Sequence, residues 1–507
     1  MPYQGLRIAA GMSGMVISLW LAACGGEDGG TSPGTTGGSE GGGGGGGGPT
    51  PVAKLVYLAD QDIDGMDELY LAGSSSIKLN PSLSTRYVIS GYEILPDRSG
   101  VVYRANQDVF EKYELYLVKF DNPGVSIKMT PPQAGTSVMF TTSARFRIIP
   151  DGSGVVYPAK QEPDGPVELY RATFSNPGTS TKLNGPLITG GEVSSFEILP
   201  NSSGVVYVAD QDTDEKRELF LAQFATPGMT QKLNPPLAND RDVLDGPQIL
   251  PDSTGVVYLA NETSPSFDLY RVPFGSPGGT TQLTGPLNRT FNSFLSPPAI
   301  TPDGAGVVFL GPNETGPGQE LYRVALANPG VNIKLNGTLI SQGSVIQFFL
   351  IPDGSGAIYA ADQDTDGVYE LYRRNFAAPD ASVKVSGPPP GPQEVAYQGV
   401  AMAPDSQSLV YAVSPPSGLV ELRHVNLATP GMTTLLQGPL PILASIPRLG
   451  LDSKFMVTPD STGVLYLGQE ISLVGELFRV DFATPALATK QNGPLVSNGD
   501  VKDFAVR

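Results

Sequence analysis

An all-β repeat architecture is predicted for this chain of 507 residues by three observations. A Pro-Asp or Pro-Asn turn recurs at Pro96, Pro150, Pro200, Pro251, Pro302, Pro352, Pro404 and Pro459, at spacings of 50 to 55 residues. Self-similarity on that scale marks a solenoid or a propeller. A dense β-branched and aromatic run follows each turn, as in Val205-Val206-Tyr207-Val208, and suits a buried strand. The composition, with 62 Gly, 47 Pro and 16% charged residues, fits a turn-rich β protein. The length would otherwise suggest several domains, but a unit repeated from end to end makes one large one.

Residues 1–23 come first. They carry one positive charge, Arg7, and then a mostly apolar run over residues 8–21, too short and too Gly-interrupted for a membrane span. A secretory leader is expected. Leu21-Ala22-Ala23-Cys24-Gly25 resembles the bacterial lipobox. The resemblance implies cleavage before Cys24, lipidation of its thiol, and membrane contact through that lipid. In Gram-negative lipoproteins an Asp after the lipidated Cys tends to retain the protein at the inner membrane. Gly25 stands there instead, which implies an outer-membrane lipoprotein, periplasmic or surface-exposed. Residues 24–51 add to Cys24 a tether of Gly, Ser, Thr and Pro, including an unbroken glycine run over residues 41–48. Such a segment cannot bury enough apolar surface to fold, and roughly 27 flexible residues reach about 30 Å.

From residue 52 to 507 the repeat takes over, and each unit reads as four strands. In one copy, a short apolar strand at residues 196–199 leads into the Pro200-Asn201 turn and the run from Val205. A third strand opens with Glu218-Leu219-Phe220. After a turn ending Pro227-Gly228, a fourth strand reads Gln231-Lys232-Leu233-Asn234. The second strand recurs nine times, near Val56, Val101, Val155, Val205, Val256, Val307, Ala357, Leu409 and Val464. The turn recurs only eight times, because the first copy lacks an opening strand. Lys502-Asp503-Phe504-Ala505-Val506 looks like the missing one, at the opposite terminus. A chain that starts on strand two and stops on strand one can close a ring by completing its own first blade, which protects exposed sheet edges. The prediction is therefore a single closed β-propeller of four-stranded blades; nine repeats favour nine blades, with eight as the alternative.

The Pro352-Asp353-Gly354 turn, Ile358-Tyr359, Asp366-Gly367 and Leu371-Tyr372 together resemble the TolB-type propeller repeat, over residues 52–507. That family mixes periplasmic scaffolds, lyases and the propeller halves of peptidases, so the resemblance speaks to fold more than to function.

Propeller geometry sends the loops after strands one and three to one face, where they are nearly uniform. The loops after strands two and four form the other face, and their variety suits a binding surface. The strongest local pattern is an acidic ladder after strand two: Asp60, Asp62, Asp64 and Glu68; Asp210, Asp212, Asp214 and Glu218; Asp362, Asp364, Asp366 and Glu370. Oxygen ligands at loop positions one, three, five and nine suit Ca2+. The spacing resembles the calcium loops of integrin-type propellers, which carry Asp at position nine. The same residues also make good hairpin turns. Glu421 and Glu476 persist where the ladder is gone, which favours a bracing role for the Glu.

A formal charge of −18 disfavours nucleic acid and suits a cationic partner or divalent metal. Cys24 is the only cysteine, so no internal disulfide can form, and with His424 the only histidine most Cys-, His- and zinc-based catalytic schemes fall away. His424 reads as a strand-packing residue. Tyr57, Tyr103, Tyr157, Tyr207 and Tyr258 share one register of strand two and read as a core layer. The expected function is a lipid-anchored, monomeric envelope module that binds an envelope protein or other envelope component through its acidic, variable face. No enzymatic activity is expected and no cofactor is required. The alternatives are a calcium-dependent binding propeller and a glycan-active lyase or hydrolase.

Overall fold

A computed structural model describes residues 53–507 except 84–87, 132–136, 139–144, 163, 265, 286–296, 314–315, 317, 379–381, 388–395, 415–419, 441–454 and 469–473. The leader, Cys24 and the tether lie outside the described residues. The described chain contains no helix and forms nine antiparallel sheets in a ring, a nine-bladed β-propeller.

Blade one holds Leu55–Ala59, Glu68–Leu71 and Ile77–Lys78; blade two holds Ile89–Ile94, Gly100–Ala105, Glu114–Lys119 and Ser126–Lys128. Blade four, Val193–Ile198, Gly204–Ala209, Glu218–Gln223 and Thr230–Lys232, shows the common order in which each strand pairs with the next. Besides blade one, whose inner strand comes from the C-terminus, blade three departs from this, its first position being two short pieces, Ser137–Val138 and Arg147–Ile148, that both pair with Gly154–Lys160. First strands of successive blades lie against one another, for example Val193–Ile198 against Gln248–Ile249 and Val501–Val506 against Ile89–Ile94, and so they line the central axis.

Closure is as expected. Val501–Val506 pairs antiparallel with Leu55–Ala59, from Leu55 opposite Val506 to Ala59 opposite Val501, with a bulge near Leu58. Lys54 and Arg507 exchange backbone hydrogen bonds at 2.9 and 3.1 Å, which extends the ladder to the last residue. Ring closure leaves blade one with the same inner edge as the others.

Second strands are buried on both faces, as in Gly204–Ala209, because each sheet is stacked between two neighbours. Each apolar cluster therefore spans a blade boundary. One joins Val56, Leu58 and Leu69 of blade one to Val101, Tyr103 and Tyr116 of blade two. Another joins Tyr57 and Tyr70 to Leu465 and Leu477 of blade nine and Phe504 of the closing strand. Each such side chain contributes roughly 1.5–3 kcal/mol on burial. The five strand-two tyrosines are the core layer expected, each against a strand-three ring across its sheet, with Tyr57–Tyr70 centroids 5.4 Å apart and Tyr207–Phe220 5.3 Å.

Two sequence signatures acquire reasons here. In Pro200-Asn201-Ser202-Ser203-Gly204 the left-handed residue is Ser202, at φ 60°, while Gly204 answers to space: a Cβ there would sit 2.4 Å from the Ala222 carbonyl oxygen. The asparagine after strand four ends that strand. Asn234 Oδ1 accepts from Leu219 N at 2.7 Å and its Nδ2 donates to the Pro235 carbonyl at 2.9 Å, so a side chain replaces the ladder and the backbone turns away. Asn80, Asn184, Asn336 and Asn492 do the same. In blade eight Gln437 stands there, and the outer strand runs on over Thr433–Leu440.

Candidate functional site

The two faces differ in chemistry. On the face built from the loops after strands one and three, each turn aspartate folds back on its own turn. Asp252 accepts from Thr254 N at 3.0 Å and from Thr254 Oγ1 at 2.7 Å, and these hydrogen bonds hold its carboxyl below the ordinary range. Neighbouring turns are stitched together by a serine hydroxyl, as where Asp353 N donates to Ser406 Oγ at 3.0 Å. Polar groups on this face are largely spent on the fold.

The opposite face carries the ladders, and each rung has a separate fate. The first aspartate is turned inward. Asp210 Oδ1 accepts from Glu192 N at 2.6 Å and Oδ2 from Glu215 N at 3.3 Å; Asp362 accepts from Ser344 N at 2.6 Å and Gly367 N at 3.4 Å; Asp60 accepts from Asp500 N and, at 3.0 Å, from Gly65 N. It ties the loop to the segment that enters the blade. The second aspartate and the glutamate at position nine share one lysine from strand four. Lys78 Nζ lies 2.7 Å from Asp62 and 2.8 Å from Glu68; Lys232 lies 2.6 Å from Asp212 and 2.7 Å from Glu218; Lys384 lies 3.4 Å from Asp364 and 2.5 Å from Glu370. Lys128 repeats the arrangement with Asp108 and Glu114 at 3.2 and 2.7 Å.

These carboxylates therefore do not fit calcium as the spacing suggested. Along the chain the ligand positions are right, but in space the cation between positions three and nine is an ammonium group, and the first aspartate faces backbone N–H groups. Among the described residues no group of three or more His, Cys, Asp or Glu side chains is arranged to hold a metal ion. The bracing role is visible instead: Glu320 and Glu168, in blades without the full ladder, still pair with Lys334 at 2.6 Å and Lys182 at 2.8 Å. The lysine was legible in the sequence as the recurring residue before Leu-Asn, as in Gln231-Lys232-Leu233.

Position five is left over. Asp64, Asp214 and Asp366 are exposed at the loop tips and supply the surplus negative charge of this face. Glu111 and Glu215 occupy the left-handed position, at φ 63° and 60°, that Gly65 and Gly367 fill in the matching loops. At the closure seam Lys502 lies 3.2 Å from Asp500 and 3.6 Å from Asp60, and burial together with these carboxylates pushes Asp67 up.

The axis holds a polar arc that sequence reasoning missed. Three residues before the turn proline stand Glu93, Arg147, Glu197 and Gln248 in blades two to five, against Ala299, Phe349, Ala401 and Met456 in blades six to nine. Glu93 takes Arg147 Nη1 at 3.0 Å and Ile148 N at 3.0 Å, and Gln248 Oε1 takes Ile300 N at 3.1 Å, so these side chains bridge neighbouring inner strands. Burial pushes the Glu197 carboxyl up to about 7, against the pull of Arg147. Fixed spacing from the proline was the available signal.

His424 packs as expected of a strand residue. Its ring stacks on Phe482 of blade nine at 4.1 Å, in the place where Arg171 covers Phe224 at 4.4 Å and Arg323 covers Phe376 at 5.0 Å. Burial pushes its pKa down.

No family model matches the chain. No curated protein matches it in sequence. Solved structures with a similar fold include a dipeptidyl peptidase 4 from Porphyromonas gingivalis, with 10% identity over 84% of this chain and 64% of that one at a TM-score of 0.49. An oligogalacturonate lyase from Vibrio parahaemolyticus matches at 16% identity over 78% and 97%, TM-score 0.37. A TolB-like protein from Agrobacterium tumefaciens matches at 14% over 48% and 79%, TM-score 0.30. A puromycin-hydrolyzing peptidase from Mycobacterium tuberculosis matches at 15% over 73% of this chain, which spans only 57% of that peptidase, TM-score 0.40. Likeness at this level extends to the fold. It corrects one expectation all the same: the similar structures include several peptidases and a lyase, so the exclusion of enzymatic activity drawn from the sequence does not stand.

Proposed function

We propose that this protein is a lipid-anchored module of the cell envelope that binds a protein or other envelope component through its acidic loop face. The observation that carries the reading is the division of labour between faces. The uniform turns are consumed by hydrogen bonds within and between blades, while the variable loops present unpaired carboxylates at Asp64, Asp214 and Asp366 from a rigid ring. Loops held at both ends by a closed sheet lose little entropy on binding. Lipidation at Cys24 would keep this face near a membrane, and the glycine tether would give it reach.

The experiment is affinity capture from envelope extracts with the full-length protein and with an Asp64→Asn/Asp214→Asn/Asp366→Asn variant. A component enriched by the first and depleted by the second supports the reading. Equal enrichment by both would remove it. Cys24→Ser should abolish membrane partitioning of the protein, and unchanged partitioning would overturn the anchor.

A further inference from the structure

We infer that the acidic face carries a discrete docking patch at the loop tips of blades one and two, and that its occupant is a basic, amphipathic polypeptide segment. The inference rests on the reading of this face as a binding surface and gives it a location and a partner chemistry.

Position by position, the loop after strand two is polar in blades four and seven, reading Gln211-Asp212-Thr213-Asp214 and Gln363-Asp364-Thr365-Asp366. In blade one the threonine becomes Ile63. In blade two it becomes Val109, and Phe110 takes the place of the exposed aspartate. These side chains are 47, 48 and 49% exposed among the described residues. Val88 adds to the patch at 39% exposure; its backbone is bonded to Asn106, with Val88 N to Asn106 Oδ1 at 2.6 Å, which puts it at the base of the same loop. Blades one and two are neighbours that share one core, so the two loops stand on adjacent blades of the same face.

Apolar groups displayed together on a monomer surface mark an interaction site, whereas scattered ones do not. Met229, Met432 and Leu487, 72, 74 and 67% exposed, lie on turns of the opposite face in blades four, eight and nine, away from the acidic ladders. Carboxylates outnumber cations around the apolar tips. Asp62, Asp64, Asp108 and Glu111 flank them against Lys112 in the blade-two loop, while Lys78 and Lys128 are each already shared with a second, buried carboxylate, Glu68 or Glu114. An apolar centre inside a carboxylate rim selects a segment with apolar residues on one side and lysines or arginines on the other. It disfavours anionic lipid and nucleic acid.

The test is a fluorescence-anisotropy titration of full-length protein against a labelled amphipathic peptide of about 18 residues made of lysine and leucine, with a lysine-serine peptide of equal charge beside it. The lysine-leucine peptide is expected to bind at least about tenfold more tightly than the lysine-serine one. Val109→Ser/Phe110→Ser should weaken it by roughly tenfold, Asp64→Asn/Glu111→Gln should weaken it and flatten its salt dependence, and Met229→Ser/Met432→Ser should leave it unchanged. Unchanged affinity in Val109→Ser/Phe110→Ser, or equal binding of the two peptides, would overturn the patch. So would capture by phosphatidylcholine vesicles that the same double variant abolishes, since the apolar tips would then be a lipid contact. Loss of binding in Asp214→Asn/Asp366→Asn alone would place the site elsewhere on the acidic face, sparing the broader reading; indifference to both sets of carboxylates would remove both.

Discussion

Replacing Lys232 by methionine tests whether lysine is the resident cation of the loop face. Glu218 is 3% exposed and Lys232 34%, and the lysine bridges Glu218 and Asp212 at 2.7 and 2.6 Å. Methionine fills the same volume but leaves a buried carboxylate with no cation. Breaking a buried pair costs about 3–5 kcal/mol, and a lysine a third exposed is partly screened by water, so the expected loss is about 2–3 kcal/mol. In blade one Tyr70 also donates to Glu68, at 3.2 Å, whereas Phe220 at the matching place in blade four cannot. Lys78→Met should therefore cost less than Lys232→Met, by about 1 kcal/mol. Urea unfolding reads the difference as a shifted midpoint at constant slope. The double variant Lys232→Met/Glu218→Leu should recover most of the loss, because the orphaned charge is gone. Burial opposes the lysine charge, but its bonds to Asp212 and Glu218 win and raise its pKa above the ordinary value. The pair's contribution is then full below an ordinary lysine pKa and is lost as pH climbs through the raised one. An unchanged midpoint in Lys232→Met would refute the reasoning, and so would a higher midpoint for the parent protein in millimolar calcium, which would mean an ion competes successfully for these carboxylates.

Three further outcomes follow from the same geometry. Deleting residues 501–507 strips the partner from Leu55–Ala59 and uncovers the cluster around Tyr57; the truncated protein should melt well below the parent and self-associate through the bared edge, seen by calorimetry and size-exclusion chromatography, and a monomer of parental stability would show that closure is dispensable. Glu215→Gly relieves a left-handed side chain and should stabilise by about 0.5–1 kcal/mol in the same urea assay, whereas Gly367→Ala should cost about as much; both signs reversed would mean the backbone is not what selects these residues. Glu197→Gln should flatten the pH dependence of stability: with its carboxyl pushed up to about 7, the folded parent holds a proton that the unfolded chain releases near 4.5, so the parent loses stability as pH rises through that window. An identical slope in the variant would remove Glu197 from that account.

Period, strand identity and ring closure were all readable along the chain. They rest on short-range signals: a Pro-Asp turn, a β-branched run at a fixed offset, and an opening strand displaced to the far terminus as Lys502-Asp503-Phe504. The acidic ladder was readable as a pattern, but the lysine between its carboxylates was not read with it. Asp212 and Glu218 look like ligands of one ion because they are six residues apart in a loop, yet their charge is settled by Lys232, which lies on another strand and enters only when the sheet forms. Likewise Glu93 meets Arg147 across 54 residues, and the loops of Ile63 and Phe110 come to adjacent blades of one face only once blades one and two stack. Hydrophobic pattern and turn chemistry act over a few residues, so a linear text records them. Charge compensation and surface patches depend on which distant groups the fold brings within a few ångströms, and that was decided when the sheets closed into a ring.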